Sequence, residues 1–235
     1  PTQIGLHFIQ HFPEPQEAAN LTLEAFRGFA REHHYPKSRV HACYARLQQD
    51  YPEAASAIVL RFKDEAVLLA TMLEQTMKVK NHEMRLLGKL FVQHPDAPVF
   101  ASLPGAGALL APALLARFGD DRSRFPAPAN VQALAGTCPV TDRSGKRQVV
   151  KFRRACDREF RYYVQQWAII SLKTSVWANA YYTAVFHRCH SKSQAYRCLG
   201  NRWLSILWKL WQTGECYDEA YHLNQRRIHS KPLSN

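Results

Sequence analysis

The sequence predicts a mainly α-helical protein, and three observations carry that prediction. Apolar residues recur at helical spacing along most of the chain, whereas the two-residue alternation of half-buried strands is almost absent. The 10 glycines lie mostly where a helical pattern stops. Hydrophobic residues make up 46% and charged residues 21% of the 235 positions, which excludes an intrinsically disordered chain. No stretch approaches the roughly 18 uninterrupted apolar residues of a membrane span, so we expect no membrane partner.

Residues 1–95 are predicted to form helices that end in a long helical arm. Residues 16–32 and 38–50 have the pattern of two short helices, and Pro36 ends the turn between them. A third helix is predicted over 53–93, with a narrow apolar stripe along its length. Such a stripe is typical of a coiled coil and equally of a helix packed inside its own domain. We expect homo-oligomers to form through the 53–93 helix.

Residues 96–235 are predicted to form a compact helical domain with at most a short β-hairpin. Its helices are predicted over 108–118, 129–135, 154–186 and 193–213. The polar segment 137–152 holds Val149 and Val150 as its strand fragment. The tail after His222 is predicted to fray. The tryptophans at helical spacing are expected in the core, namely Trp167, Trp177, Trp203, Trp208 and Trp211.

The start of this domain resembles the hairpin of a helix-hairpin-helix unit. In Leu103-Pro104-Gly105-Ala106-Gly107, two glycines allow a tight turn before an apolar helix. Amide groups of Gly105 and Gly107 and the following helix N-terminus are then expected to face a phosphate. A tight turn between two packed helices explains the same residues, so both interpretations stay open.

The positive charge is concentrated in the second part of the chain. Residues 1–95 hold 11 Lys/Arg and 10 Asp/Glu, while residues 96–235 hold 20 and 9. A field this localised indicates a polyanionic partner, for which nucleic acid is the common case. The six cysteines form no C-x-x-C pair, and the group His187, Cys189, His190 and Cys198 matches no zinc spacing. We therefore expect no metal site within this chain.

The most basic segment runs from Ser144 to Tyr163, with seven Lys/Arg and two acidic residues. Its cations, with the two hairpin glycines, are the predicted nucleic-acid contacts: Gly105, Gly107, Lys146, Arg147, Lys151, Arg153, Arg154, Arg158 and Arg161. Ser144 lies beside a glycine among these cations, which suits attack on a phosphodiester. Because no neighbouring general base is identifiable, the residues alone favour a serine that only hydrogen-bonds a phosphate.

Several ordered blocks resemble the C-terminal domain of the insertion sequence one-ten (Piv/MooV-like) transposases. The similarity is strong over roughly residues 100–222 and looser over residues 1–95. The blocks are 102–107, 119–125, 135–141, 144–147, 152–156, 167–168, 181–182, 201–204 and 217–220. Ordered blocks together are far more specific than any single motif.

The resemblance implies a DNA recombinase whose catalytic nucleophile is Ser144. Members of this family form a covalent phosphoserine link to DNA and combine this domain with an N-terminal RuvC-like domain. That domain carries four Asp/Glu ligands and holds Mg²⁺, while a structured bridge RNA selects the DNA. The 235 residues contain no such domain, so we expect a C-terminal part that is inactive alone. We also expect it to reside in the bacterial cytosol or nucleoid.

Two other functions remain open at this point. The chain can be a non-catalytic helix-hairpin-helix module that binds DNA or RNA and needs no special Ser144. A base-excision glycosylase ranks last, because such enzymes place a lysine in the hairpin, where this sequence has Ala106.

Overall fold

A computed structural model of the chain describes residues 2–49, 55–145 and 147–230, with side chains to residue 225. The described residues are mostly helical and include one two-stranded antiparallel sheet, so the predicted mainly α fold is confirmed. The α-helices are α1 (Gln3–His11), α2 (Pro15–Ala19), α3 (Leu23–Glu32), α4 (Lys37–Leu47), α5 (Ser56–Gln93), α6 (Ala97–Ala101), α7 (Gly107–Phe118), α8 (Pro128–Leu134), α9 (Arg158–Ser171), α10 (Val176–Cys189), α11 (Lys192–Thr213) and α12 (Glu219–Ser230). The strands are β1 (Val140–Ser144) and β2 (Arg147–Lys151), and Arg122–Arg124 form a 3₁₀ turn.

The chain divides into two compact units, one up to Glu83 and one from Met84 onward. The predicted domain division at residue 95 stays a prediction. In the first unit, α3 and α4 pack around a small core in which Phe26, Phe29 and Val40 are buried. A threonine hydroxyl begins α3, because Thr22 Oγ1 accepts a hydrogen bond from the amide of Ala25.

Helix α5 confirms the predicted long helix, with its first described residue at Ser56. Residues 53 and 54, where we placed its start, lie outside the described residues. At 38 residues and about 1.5 Å per residue, α5 is roughly 57 Å long. Many of its apolar side chains are open to solvent, with Leu60 75%, Leu90 66% and Val92 78% exposed. Such exposure is compatible with a coiled coil, and oligomerisation through α5 stays a prediction.

The second unit packs its helices around aromatic side chains. Phe118, Trp167, Trp177, Trp203 and Trp211 are each no more than 1% exposed. The rings of Trp167 and Trp203 lie 5.0 Å apart between centroids, and Trp177 meets Trp203 edge to face at 4.8 Å. Each buried aromatic side chain removes a large apolar area from water, so these rings contribute strongly to the hydrophobic stabilisation of the unit. The expected tryptophan core is thus confirmed at these positions, while Trp208 is partly buried against it.

The structure corrects two helix predictions in this unit. The helix predicted over 154–186 is two helices, because α9 ends at Ser171 and α10 begins at Val176. Ser175 causes the new start, since its hydroxyl accepts the amide of Ala178 as an N-cap. The tail predicted to fray after His222 instead continues α12. Neither correction has a glycine or proline signal in the sequence.

Candidate nucleic-acid interface

The β1–β2 hairpin carries the predicted nucleophile, Ser144. The strands are antiparallel and pair Ser144 directly with Arg147. Gly145 begins the turn with φ of 55°, a left-handed conformation that glycine adopts without steric cost. All five residues of β1 are exposed, so the hydroxyl of Ser144 is accessible to solvent. Lys146, a predicted nucleic-acid contact, lies outside the described residues.

One face of the hairpin collects Ser144 with charged side chains. Because strand side chains alternate, Asp142 and Ser144 share a face with their β2 neighbours Arg147, Val149 and Lys151. These five residues line a shallow hollow of about 120 Å³. Lys151 Nζ donates to Asp142 Oδ2 at 2.7 Å, an exposed pair that contributes little stability. The structure therefore brings the predicted residues Ser144, Arg147 and Lys151 together.

Asp142 is a member of this face that sequence reasoning missed. We interpreted residues 137–152 largely as a polar loop, in which positions two apart need not share a side. In a strand they do, so Asp142 lies beside Ser144. Within the described part of the chain, the Ser144 hydroxyl has no hydrogen-bond partner, and its hollow contains no histidine. No base is therefore held against the hydroxyl in this conformation.

Arg161 supports the end of the hairpin. Its guanidinium donates to the carbonyl oxygen of Arg153 at 2.5 Å and lies 4.5 Å above the ring of Phe152, which follows β2 directly. Arg197, from α11, lies 4.8 Å from the centroid of the same ring. Gly136 makes room for this arrangement, since a Cβ there would lie 2.8 Å from that of Cys156 and closer still to the Arg161 guanidinium. Arg161 thus fixes the chain that leaves β2, and its predicted phosphate contact stays a prediction.

The two acidic residues within the basic segment form ion pairs with an arginine outside that segment. Asp157 and Glu159 both accept hydrogen bonds from Arg117 of α7, the former at 3.0 Å. Hydrogen bonds from Tyr163 and Arg117 lower the pKa of Glu159. Arg154 and Arg158 are exposed and form no ion pair with any described residue. Their positive charge therefore remains available to a ligand.

The glycine turn between α6 and α7 has two different halves. Gly105 has φ of 77°, and a Cβ there would lie 3.0 Å from Ile170 Cγ2 on α9. The carbonyl of Pro104 accepts the indole N–H of Trp167 at 3.0 Å, which anchors the turn to the core. Packing therefore explains Gly105. Gly107, with φ of 55°, is exposed and has no atom within 4 Å of its would-be Cβ, so its predicted phosphate contact is sterically open.

A partly buried carboxylate, that of Glu219, connects the C-terminal part to this turn. Glu219 accepts hydrogen bonds from the hydroxyls of Ser175 and Tyr217 and from the amide of Trp177. Burial opposes ionisation of Glu219, but these donors outweigh it and lower its pKa. The amide of Tyr217 in turn donates to Ser102 Oγ at 2.8 Å, next to the glycine turn. The Tyr217–Glu219 segment therefore positions the α6–α7 turn.

The described residues offer no group of three or more His, Cys, Asp and Glu that could hold a metal ion. At the hairpin, the described carboxylate is Asp142, which is bonded to Lys151. We therefore derive no step through a metal held by the described residues. In the same part of the chain, no helix has both the length and the apolar character needed to cross a bilayer.

Comparison with known proteins connects this unit to transposases. Residues 97–183 match the model of the family described as Transposase IS116/IS110/IS902 family. The chain is 29% identical over 213 residues to the mini-circle putative transposase for IS117 of Streptomyces coelicolor, covering 88% of the chain and 51% of that protein. It is 26% identical over 169 residues to the insertion element IS900 uncharacterized 42 kDa protein of Mycobacterium paratuberculosis, covering 72% and 41%.

A third relative is the insertion element IS110 uncharacterized 43.6 kDa protein of Streptomyces coelicolor, 28% identical over 133 residues. That alignment covers 56% of the chain and 33% of the relative. The chain therefore spans about half or less of the length of these relatives. The family match includes β1, β2 and the α6–α7 turn, so both candidate features lie inside it.

Proposed function

Because residues 97–183 match the model of the IS116/IS110/IS902 transposase family, we propose that the chain acts in DNA transposition with Ser144 as the nucleophile. The observation that carries the proposal is the hairpin face, where the exposed hydroxyl of Ser144 has no hydrogen bond to a described residue and lies opposite Arg147. A buried or bonded serine would not be free to approach a strand. The hairpin presents it on a strand whose five residues are all exposed.

The chemical step is a transesterification at phosphorus. Ser144 Oγ loses its proton as it bonds to phosphorus, and the bond from phosphorus to one sugar oxygen breaks. The released sugar oxygen takes up a proton, so a phosphoserine ester replaces a phosphodiester without any net redox change. Arg147 is placed to offset the charge that develops on the phosphoryl oxygens. Asp142 limits the net positive charge of the face and orients Lys151.

The remaining requirements come from outside the described residues. We propose that a RuvC-like domain with four Asp/Glu ligands supplies Mg²⁺, which would act as a Lewis acid toward the phosphoryl group. A structured bridge RNA is proposed to select the DNA, and α5 to join copies of the chain. A bacterial cytosolic or nucleoid location follows from these partners as part of the same proposal.

The test measures covalent protein–DNA adduct. The chain is combined with a cognate RuvC-like domain, bridge RNA, DNA and Mg²⁺, and adducts are counted on denaturing gels. We expect Ser144→Ala to abolish the adduct. The matched control is Thr141→Ala, which removes an exposed hydroxyl from the same strand but from the opposite face. An undiminished adduct in Ser144→Ala would remove Ser144 from the chemistry.

A second function is favoured by one observation, the absence of a base bonded to Ser144 among the described residues. The chain would then be a non-catalytic helix-hairpin-helix module that grips DNA or RNA through Gly107 and the start of α7. In that case Ser144→Ala binds nucleic acid as the unchanged protein does, and no adduct forms with either. Adduct formation in the unchanged protein excludes this alternative.

A further inference from the structure

The first unit contains a cationic groove between α3 and α4. Five exposed side chains form its rim: Arg27, Arg31, His34, Lys37 and His41. Its floor consists of two buried side chains and one partly buried side chain, namely Ala30, Val40 and Tyr35. The volume of this α3–α4 groove is about 550 Å³, which lies within the range of ligand-binding sites.

Helical spacing points the cations into the groove. Arg27 and Arg31 are four residues apart on α3, and Lys37 and His41 are four apart on α4. Residues at this spacing share one helix face, with about 5–6 Å between Cβ atoms. Phe26 and Phe29 on α3 are held in the core, so packing fixes which face of this helix remains outside.

Among the described residues, the lining of the groove includes no negative charge. None of the residues that line it is acidic, and within the described ranges Arg27, Arg31 and Lys37 form no ion pair. The Arg27 guanidinium is held by the imidazole of His41, whose Nε2 lies 2.7 Å from Arg27 Nη2. Cations placed together without anionic partners repel one another, and a bound polyanion relieves that repulsion.

The turn that joins the two helices places another imidazole at the rim. His34 has φ of 52°, in the left-handed region, and its amide donates to the carbonyl of Arg31. The amide of Tyr35 donates to the carbonyl of Ala30 at 2.8 Å. Helices that end with this hydrogen-bond pattern usually have glycine at the position that His34 occupies, because glycine adopts a left-handed conformation without steric cost. A glycine would relax the backbone but remove the imidazole from the groove.

We propose that the α3–α4 groove binds the sugar-phosphate backbone of a polynucleotide strand. Two guanidinium forks and an ammonium group match several phosphates in sequence, since each fork can hold two phosphate oxygens. The half-buried ring of Tyr35 adds an apolar surface beside them. The open groove accepts a continuous chain of charges better than a single compact anion.

This inference rests on the proposed function only for the presence of nucleic acid, and it does not require the chemistry of Ser144. It also revises the charge argument from the sequence. Residues 1–95 are nearly neutral, with 11 Lys/Arg against 10 Asp/Glu, and so we predicted nucleic-acid contacts only beyond residue 95. The fold gathers Arg27, Arg31 and Lys37 on one surface, which creates a local field that the net charge conceals.

The test measures binding of the full chain to fluorescent single strands of RNA and of DNA, each about 20 nucleotides long, by anisotropy between about 50 and 200 mM salt. We expect Arg27→Gln with Arg31→Gln to weaken binding about tenfold and to reduce the salt slope by about 1.4, the loss of two phosphate contacts. Arg27→Lys with Arg31→Lys keeps the charge and should retain most of the slope. Weakening with RNA or with DNA supports the proposal and shows which strand the groove prefers.

Two controls keep the result specific. Lys80→Gln with Lys89→Gln removes the same charge from exposed positions outside the groove and should change the slope far less. Circular dichroism checks that the variants remain folded. Equal slopes in the groove and control variants would overturn the proposal, as would a labelled poly-glutamate that binds the groove as tightly as either strand. Because Ser144→Ala does not alter the groove, failure of the nucleophile and failure of the groove are separate outcomes.

Discussion

Two cationic surfaces within the described part of the chain are built in opposite ways. The hairpin face around Ser144 and Arg147 stands on two strands in which all but one residue are exposed. The α3–α4 groove stands on helices whose other sides bury Phe26, Phe29 and Val40. Cationic side chains are therefore carried in one case by an exposed two-stranded hairpin and in the other by helices packed on a core.

This difference in support suggests different roles: the hairpin can move toward a ligand, whereas the groove holds a ligand on a fixed scaffold. A two-stranded ribbon has few buried contacts and can adjust to a strand that approaches it. The supports of the ribbon lie at its base, where Arg161 and Arg197 enclose the ring of Phe152. Packed helices fix the backbone positions from which the cationic side chains extend, which suits binding without chemistry. Variants that act on one surface and spare the other test this division.

The largest effect is expected at the base of the hairpin. Gly136→Ala places a Cβ against the Arg161 guanidinium at a backbone φ of 64°. We expect the free energy of unfolding to fall by about 1–3 kcal/mol, because the side chain is overpacked and the backbone is strained. Chemical denaturation measures this change. Gly107→Ala is the control, since its φ of 55° is also unfavourable but its Cβ meets no atom within 4 Å.

A smaller effect, on nucleic-acid affinity, is expected at the exposed first turn of α7. This variant tests whether that turn contacts phosphate in addition to the hairpin and the groove. Ala108→Glu adds a negative charge at an exposed position in the first turn, where it favours the helix but repels phosphate. We expect nucleic-acid affinity to fall about fivefold while thermal stability stays equal or rises. Ala108→Gln, which lacks the charge, should bind normally. Unchanged affinity in Ala108→Glu would show that α7 does not face phosphate.

The smallest effect concerns pH and the unit that carries the groove. Hydrogen bonds from Lys78, Gln10 and His7 lower the pKa of Glu74 from 4.5 to about 2. A lowered carboxyl pKa stabilises the folded state above pH 4.5, and this stabilisation is lost as pH falls toward 2. We therefore expect the unfolding midpoints of the unchanged protein and Glu74→Gln to differ at pH 6 and to converge near pH 2. A difference that does not depend on pH would contradict this role.

Burial lowers the pKa of His33 in the same unit, with the charge of His7 adding to the effect. Because the pKa of His33 is lowered in the folded state, the folded state loses stability as pH falls below 6.5. The effect of His33 therefore falls at a higher pH than that of Glu74. The two pH ranges distinguish the two groups. The loss of folded-state stability between pH 7 and 5 should persist in Glu74→Gln, because it arises from His33.

The sequence alone predicted the helices with strong periodicity, the tryptophan core and the basic segment. Those features depend on residue type and spacing within short windows, which the chain displays directly. It did not predict the break at Ser175, because the hydroxyl of Ser175 also donates to Glu219, 44 residues later along the chain. Asp142 was missed for a related reason, since it shares a face with Ser144 only where residues 140–144 form a strand, and that strand is stabilised by pairing with β2.

By itself, the sequence determined a helical protein with excess positive charge beyond residue 95 and a serine among cations at position 144. Tertiary structure decided how those cations are engaged: Arg161 donates to the carbonyl of Arg153 at the base of the hairpin, while Arg147 and Arg154 are exposed and form no ion pair with a described residue. It also decided that Arg27, Arg31 and Lys37 share one groove. The physical reason is that electrostatic potential depends on distances through space, and only packing sets the distance between charges on different elements.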